Sequence, residues 1–208
     1  MTMQAPRPKL FVIAAPSGAG KTTLVKKLVD RSPELRFPIS YTTRTKRSNE
    51  VGGVDYLFVK KSEFEALRER GELLESATVF DNLYGTSRTQ VEQYLSNGHH
   101  VILEIDWQGA QQVRDSMPEC ITIFILPPSL AELERRLRDR RTDSDEVIKR
   151  RLRDALGDMS HWGEFAFVVI NDDLGRAIAD LEAILAGAGA ALASGNETLH
   201  AIVAEIIG

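Results

Sequence analysis

The residues of this chain best suited to chemistry are Ala15-Pro16-Ser17-Gly18-Ala19-Gly20-Lys21-Thr22. They match G-x-x-x-x-G-K-[ST] with alanine in place of the first glycine. Glycines let successive backbone N–H groups curl toward one anion. A helix starting directly behind them points its positive end at the same place. Lys21 adds a full charge over the outer phosphates of a bound polyphosphate, the Thr22 hydroxyl suits Mg²⁺, and Thr23 lies beside it. A second feature is acidic. Val101-Ile102-Leu103-Glu104-Ile105-Asp106 is an apolar run ending in two carboxylates, which strand alternation puts on one face. Beside a phosphate loop such an acid helps hold Mg²⁺, usually through water, or it caps the next helix. Asp106, at the very tip, is the favoured metal-side residue.

The remaining candidates are basic. Arg44 and Arg47 stand three apart in a polar segment that also carries Tyr56 and Tyr84. Guanidinium forks match phosphate oxygens, and tyrosine hydroxyls can complete the cradle. A solvated basic loop with packing tyrosines has the same spacing, so spacing alone leaves both readings open. Arg136 and Arg140 are four apart and share a helix face, and Arg151 follows on the next helix. Such arginines either neutralise phosphates or lace a solvated helix with ion pairs, the reading that suits Arg135, Arg138 and Arg153. His99, His100, His161 and His200 show no metal-ligand spacing. Cys120, in the apolar run to Leu126, is expected as a buried strand cysteine.

These side chains need elements to position them. Leu10 to Ala14 predicts a strand, the glycine loop follows, and Thr22 to Val29 predicts a helix. Val101–Ile105, Ile121–Leu126 and Phe167–Ile170 predict buried parallel strands. Helical patterns at 90–95, 109–117, 130–137, 147–159 and 174–185 fall between and after them. That alternation predicts an α/β fold, a P-loop NTPase with a doubly wound parallel sheet. The polar segment 39–88 breaks the rhythm and reads as an insertion with one clear helix, Glu63 to Arg70, capped by a Ser62/Glu65 box. A second insertion, 129–159, is dense in arginine. From Gly187 a small-residue joint leads to a last helix, Glu197 to Ile207.

Taken together, several segments resemble guanylate kinase. They are the loop 15–22, then Ser40-Tyr41-Thr42-Thr43-Arg44-Thr45-Lys46-Arg47 with Glu50 and Asp55-Tyr56, then Leu74-Glu75 and Tyr84-Gly85-Thr86-Ser87. Ile105-Asp106-Trp107-Gln108-Gly109, Leu126-Pro127-Pro128-Ser129 and Asn171-Asp172-Asp173 complete the series, in family order and spacing from about Lys9 to Leu185. The resemblance implies transfer of the ATP γ-phosphoryl group to GMP, and to dGMP, with Mg²⁺. It implies a P-loop core (1–38, 89–128 and 160–208), an acceptor-binding insertion (39–88) and a lid (129–159). It places Ser40, Arg44, Arg47, Tyr56 and Tyr84 around the GMP phosphate, and Glu75 on the guanine edge with Thr86 and Ser40 assisting. It brings Glu104 and Asp106 to the acceptor side as well, sets Arg136, Arg140 and Arg151 on the transferring group, and puts Asn171 near the adenine. Two departures stand out: Glu104 where the family usually has aspartate, and Arg141 where the lid often has glycine.

Composition narrows the alternatives. A net charge of −4 over 208 residues gives no global pull toward nucleic acid. One cysteine permits no intrachain disulfide. No signal-like segment leads the chain, and no apolar run approaches the roughly 20 residues a membrane helix needs. A cytoplasmic protein with small-molecule substrates is expected, without nucleic-acid or membrane partners, the homo-oligomeric state being left open. Two rivals share the frame: a kinase for another phosphorylated acceptor, such as a ribose bisphosphate, and a non-catalytic guanylate-kinase-like binding module. Glu75 with Thr86 argues against the first, and Lys21 with Thr22 against the second.

Overall fold

A computed structural model describes residues 7–79, 81–139 and 145–207. The chain opens with β1 (Leu10–Ala14), α1 (Lys21–Arg31), β2 (Leu35–Arg36), β3 (Tyr41–Thr42), β4 (Leu57–Phe58) and α2 (Lys61–Glu69). It continues through β5 (Leu73–Val79), β6 (Asn82–Ser87), α3 (Arg88–Ser96), β7 (His100–Glu104), α4 (Trp107–Ser116) and β8 (Ile121–Leu126). It closes with α5 (Leu130–Asp139), α6 (Asp145–Met159), β9 (Phe167–Ile170), α7 (Leu174–Leu185) and α8 (Glu197–Ile207). Parallel strands thus alternate with helices, as the apolar runs predict for a P-loop NTPase-like α/β protein.

The chain divides into two compact units. One holds Phe11–Pro33, Glu104–Trp107 and the chain from Ile121 onward. Its strands lie parallel in the order β1-β8-β9, with Phe11 opposite Ile121 and Ile123 opposite Phe167. Nearly every residue of β1 and β8 is buried, which is why both read as unbroken apolar runs without alternation. Leu24, Val25 and Leu28 of α1 and Ala177, Ile178, Leu181 and Ile184 of α7 form the buried faces of two helices that pack on each other. Each fully buried Leu, Ile or Phe stabilises by roughly 1.5–3 kcal/mol, against about 1 kcal/mol for a typical hydrogen bond. This apolar frame therefore sets the stability, and the polar loop rides on it.

The other unit holds Glu34–Leu103 and Gln108–Cys120, with the chain up to Leu10. In it β2 pairs parallel with β7, and a second sheet has the order β4-β3-β6-β5. β4 runs parallel to β3, while β3 with β6 and β6 with β5 are antiparallel. Registers run Leu57–Tyr41–Gly85–Ser76 in one row and Phe58–Thr42–Tyr84–Ala77 in the next. Alternation sends successive rows to opposite faces. On one face Tyr41, Val59 and Leu83 pack against Phe64, Leu67 and Leu73, with α2 supplying Phe64 and Leu67. Gly85 lies on that face. A Cβ there would stand 3.0 Å from Phe64 Cζ and 3.0 Å from the Glu75 carbonyl oxygen, so a larger residue would need the ring and the strand to give by a few tenths of an ångström.

This sheet is the main addition to the sequence reading, which saw one helix in the segment. Its strands β3 and β4 are two residues long, too short for a period-two signal. In β5 the register slips between Leu73 and Glu75, which breaks the alternation. α2 itself begins at Lys61, two residues earlier than expected. Its N-cap is Lys60, with no side-chain cap, so Ser62 falls inside the first turn and the expected capping box does not form. Cys120 stands one residue before β8 and is half-buried, and burial pushes its thiol pKa up. No described helix is long and apolar enough to cross a membrane.

Candidate active site

The phosphate loop is built by two glycines. Gly18 and Gly20 adopt φ of +95° and +92°, a region that a side chain disfavours. Among the described residues Asp81 is the only non-glycine with positive φ, so Ala15 occupies the first-glycine position in an ordinary backbone conformation. The departure from the motif is therefore conformationally neutral. Gly20 caps α1, and Leu24 N–H donates to its carbonyl at 3.2 Å.

Three side chains fasten this loop. Lys21 Nζ donates to the Ile105 carbonyl at 2.6 Å, and Ile105 N–H in turn donates to Ile13 of β1. The Thr22 hydroxyl donates to Glu104 Oε1. The Ala19 carbonyl accepts from Asn171 Nδ2 at 2.7 Å and from Arg136 Nη1 at 3.3 Å. Arg136 is itself held at Nη2 by the Asn171 carbonyl, 2.9 Å, and at Nε by Glu132, 2.8 Å. Hydrogen bonds from Arg135 and Arg136 draw the Glu132 carboxyl down to about 2. Lys21, Thr22, Glu104, Ile105, Arg136 and Asn171 thus meet around one loop. Sequence reasoning favoured Asp106 on the metal side, and it is Glu104 whose carboxylate meets Thr22. Arg151 sits half-buried on α6, and Arg140 and Arg141 lie outside the described residues. Asp173 caps α7 by accepting from Arg176 N–H.

Gly20→Ala should be damaging twice over. Its φ is wrong for alanine, and the new Cβ would stand 2.5 Å from Asn171 Nδ2, displacing the amide that holds Ala19. We expect about 1–3 kcal/mol of destabilisation from strain. Weaker binding of a nucleoside triphosphate should accompany it, read by thermal melting and by titration with a fluorescent ATP analogue.

The acceptor-side candidates gather on the polar face of the four-stranded sheet. Thr86 and Glu75 are paired across β6 and β5, and one further step of the same register puts Ser40 and Tyr56 in their row. Tyr84, two residues from Thr86, shares that face. Glu75 is 5% exposed and Thr86 is 1% exposed, and the Thr86 hydroxyl donates to Glu75 Oε1 at 2.7 Å. A carboxylate accepts at both of its oxygens, so this one suits a ligand edge that donates. Arg44 forks onto Glu50, at 2.6 Å and 3.1 Å, and its guanidinium lies 5.4 Å from the centre of the Tyr56 ring and 5.8 Å from that of Phe58. The Glu50 hydrogen bond raises the Arg44 pKa further, and Arg44 holds the Glu50 carboxyl below the usual carboxylate range. That depression works in one direction. The clasp is intact above the ordinary carboxylate pKa and is lost only as pH falls through the lowered one. Arg47 is exposed, and its backbone N–H donates to Glu50 at 2.7 Å.

Residues 7–188 match the guanylate kinase family profile. A guanylate kinase of Pseudomonas fluorescens (strain Pf0-1) is 54% identical over 175 residues, covering 84% of this chain and 85% of that protein. One from Methylococcus capsulatus is 47% identical over 199 residues, covering 96% and 98%. The crystal structure of guanylate kinase from Anaplasma phagocytophilum superposes with a TM-score of 0.73 at 30% identity, over 97% of this chain and 96% of that one.

The chain belongs to the guanylate kinase family.

Glu50 stands in a segment that carries the guanylate kinase resemblance, and the sequence alone assigns it no task. The structure gives it one, holding the Arg44 fork. The signal was a carboxylate six residues after an arginine, which has no helix or strand period to make it legible. Glu50→Ala should leave Arg44 in place but unaimed. We expect the KM of a phosphate-bearing acceptor to rise about tenfold with a smaller change in kcat, the KM for ATP holding steady in the same assay.

Proposed function

We propose that this chain transfers the γ-phosphoryl group of ATP to GMP, giving ADP and GDP, with Glu75 reading the guanine. In a chain of this family, the observation that carries the reading is the buried Glu75 carboxylate steadied by Thr86. Guanine presents N1–H and an amino group side by side, and a carboxylate accepts both. Adenine presents a lone pair at N1 and would face Glu75 with an acceptor.

In this reading the unit with the phosphate loop takes ATP, and segment 39–88 is the acceptor-binding insertion. Backbone N–H groups of residues 16–22 and Lys21 cradle the phosphates, and Asn171 stands toward the adenine. Arg44, Arg47, Tyr56, Tyr84 and Ser40 hold the GMP phosphate. One of its oxygens, already ionised and needing no general base, attacks the γ-phosphorus. The bond from that phosphorus to the β,γ-bridging oxygen breaks, and ADP keeps the electron pair. Arg136, Arg140 and Arg151, on the segment 129–159 assigned as lid, offset the charge carried by the transferring group. Mg²⁺ would supply charge neutralisation between the β- and γ-phosphates. Thr22, Glu104 and Asp106 fit that ion, since all are oxygen donors, the first two already share a hydrogen bond, and Mg²⁺ keeps most of its waters.

The test is ADP formation from ATP and Mg²⁺ with GMP, dGMP, AMP, CMP, UMP and a ribose bisphosphate offered separately. Turnover with GMP and dGMP alone supports the reading. Turnover with another acceptor overturns the role of Glu75, and absence of turnover from folded protein favours a binding module.

A further inference from the structure

We propose that two glutamines, Gln112 and Gln90, are positioning residues that fix the backbone under the guanine-reading row. The proposal rests on the reading of Glu75 given above. β5 is the edge strand of the four-stranded sheet. In an antiparallel pair alternate residues turn their N–H and C=O away from the partner. Ser76, directly after Glu75, meets no further strand on that side. The side chain of Gln112, on α4, takes the place of one. Its Oε1 accepts from Ser76 N–H at 3.0 Å, and its Nε2 donates to the Ser76 carbonyl at 3.0 Å. Two strands across the row, Gln90 on α3 makes the same reciprocal pair with Ile39, the residue before Ser40. Its Oε1 accepts from Ile39 N–H at 3.1 Å, and its Nε2 donates to the Ile39 carbonyl at 3.3 Å.

The placement of these two clamps is what gives them a function. The β5 register slips between Leu73 and Glu75, so the ladder is disrupted just before the carboxylate that must be aimed. Gln112 restores order on the residue just after it. Glu75 is thereby held between an irregularity and a clamp. A primary amide is suited to this task because it carries a donor and an acceptor side by side, as a backbone edge does. Gln112 is exposed and contributes little to the core, so a purely structural role would register mainly in the melting temperature. A positioning role registers in acceptor affinity, since misplacing a reading group by about 1 Å can cost 10²-fold.

Gln112→Met and Gln90→Met keep length and remove both hydrogen bonds. In full-length protein, each should raise the KM for GMP, and the Kd for GMP by calorimetry, about tenfold. The KM for ATP and the melting midpoint should hold. In a Glu75→Gln background, Gln112→Met should cost less than about twofold, because its effect runs through Glu75. Three results would overturn the inference: an unchanged KM and Kd for GMP, parallel changes for GMP and ATP with a lowered melting point, or full additivity with Glu75→Gln. If Glu75→Gln alone leaves the preference for GMP over AMP intact, the guanine reading falls and takes this inference with it. Were Glu75→Gln costly and Gln112→Met silent, only the inference would fall.

Discussion

Lys21→Ala is expected to lower kcat with ATP and GMP about 10³-fold, a loss near 4 kcal/mol of transition-state stabilisation. The size follows from what Lys21 is and where it is held. Its ammonium sits at the mouth of the phosphate loop, docked on the Ile105 carbonyl at 2.6 Å. It is thus placed before any nucleotide arrives and needs little reorganisation during transfer. Arg136, which also reaches the loop, is already engaged by Ala19, Asn171 and Glu132. The fold should be indifferent to the change, because Lys21 is only half-buried and the helix behind it is held by Leu24, Val25 and Leu28. A coupled ADP assay with a thermal melt on the same preparation checks both halves. A kcat within tenfold of the parent would remove Lys21 from the transition state.

Glu75→Gln should reduce kcat/KM for GMP about 10³-fold and erase most of the preference for GMP over AMP. The substitution is nearly isosteric, so the packing of a 5% exposed site survives. Thr86 can still donate to the remaining carbonyl oxygen, as it donates to Oε1 now. What changes is the second atom, which becomes an NH₂ aimed at a guanine edge that also donates. Two donors then face each other in a dry site, a penalty larger than a missing bond. The KM for ATP should stay within about twofold, since Glu75 belongs to the unit without the phosphate loop. Measuring kcat/KM for both nucleotides decides the matter, and an unaltered GMP-to-AMP ratio would take Glu75 out of the specificity role.

The phosphate loop and the four-stranded sheet were legible to different degrees, for physical reasons. The loop could be read because its backbone geometry demands particular residues. Glycine at 18 and 20 answers a positive φ, and long apolar runs at β1 and β8 answer burial on both faces. The helix α7 and the strands β1, β8 and β9 fall where periodicity put them. The sheet gave almost no periodic signal. It rests on two-residue strands and a slipped register, and its polar face is assembled from residues on or beside four separate strands, spread from Ser40 to Thr86. Only the resemblance drew attention to Ser40, Glu75 and Thr86, and only the register shows why they share a row. The contact between Thr22 and Glu104 was not legible, because Asp106 sits at the strand tip whereas the Thr22 hydroxyl donates to the earlier carboxylate.

Gly85 carries a consequence for anyone who would change what this protein accepts. It lies one residue before Thr86 and faces the other way, with the Phe64 ring and the Glu75 carbonyl each 3.0 Å from where its Cβ would stand. Thickening the sheet from behind presses on the Phe64 ring and on the backbone that carries Glu75. Evolution and engineers alike are left with one side on which to rewrite selectivity, the side chains of the polar face themselves. Drift at the buried face is paid in folding before it can be tried out as a new preference. Such an arrangement makes for a conservative enzyme, one whose choice of base is changed by altering the letters on the page and never by bending the paper.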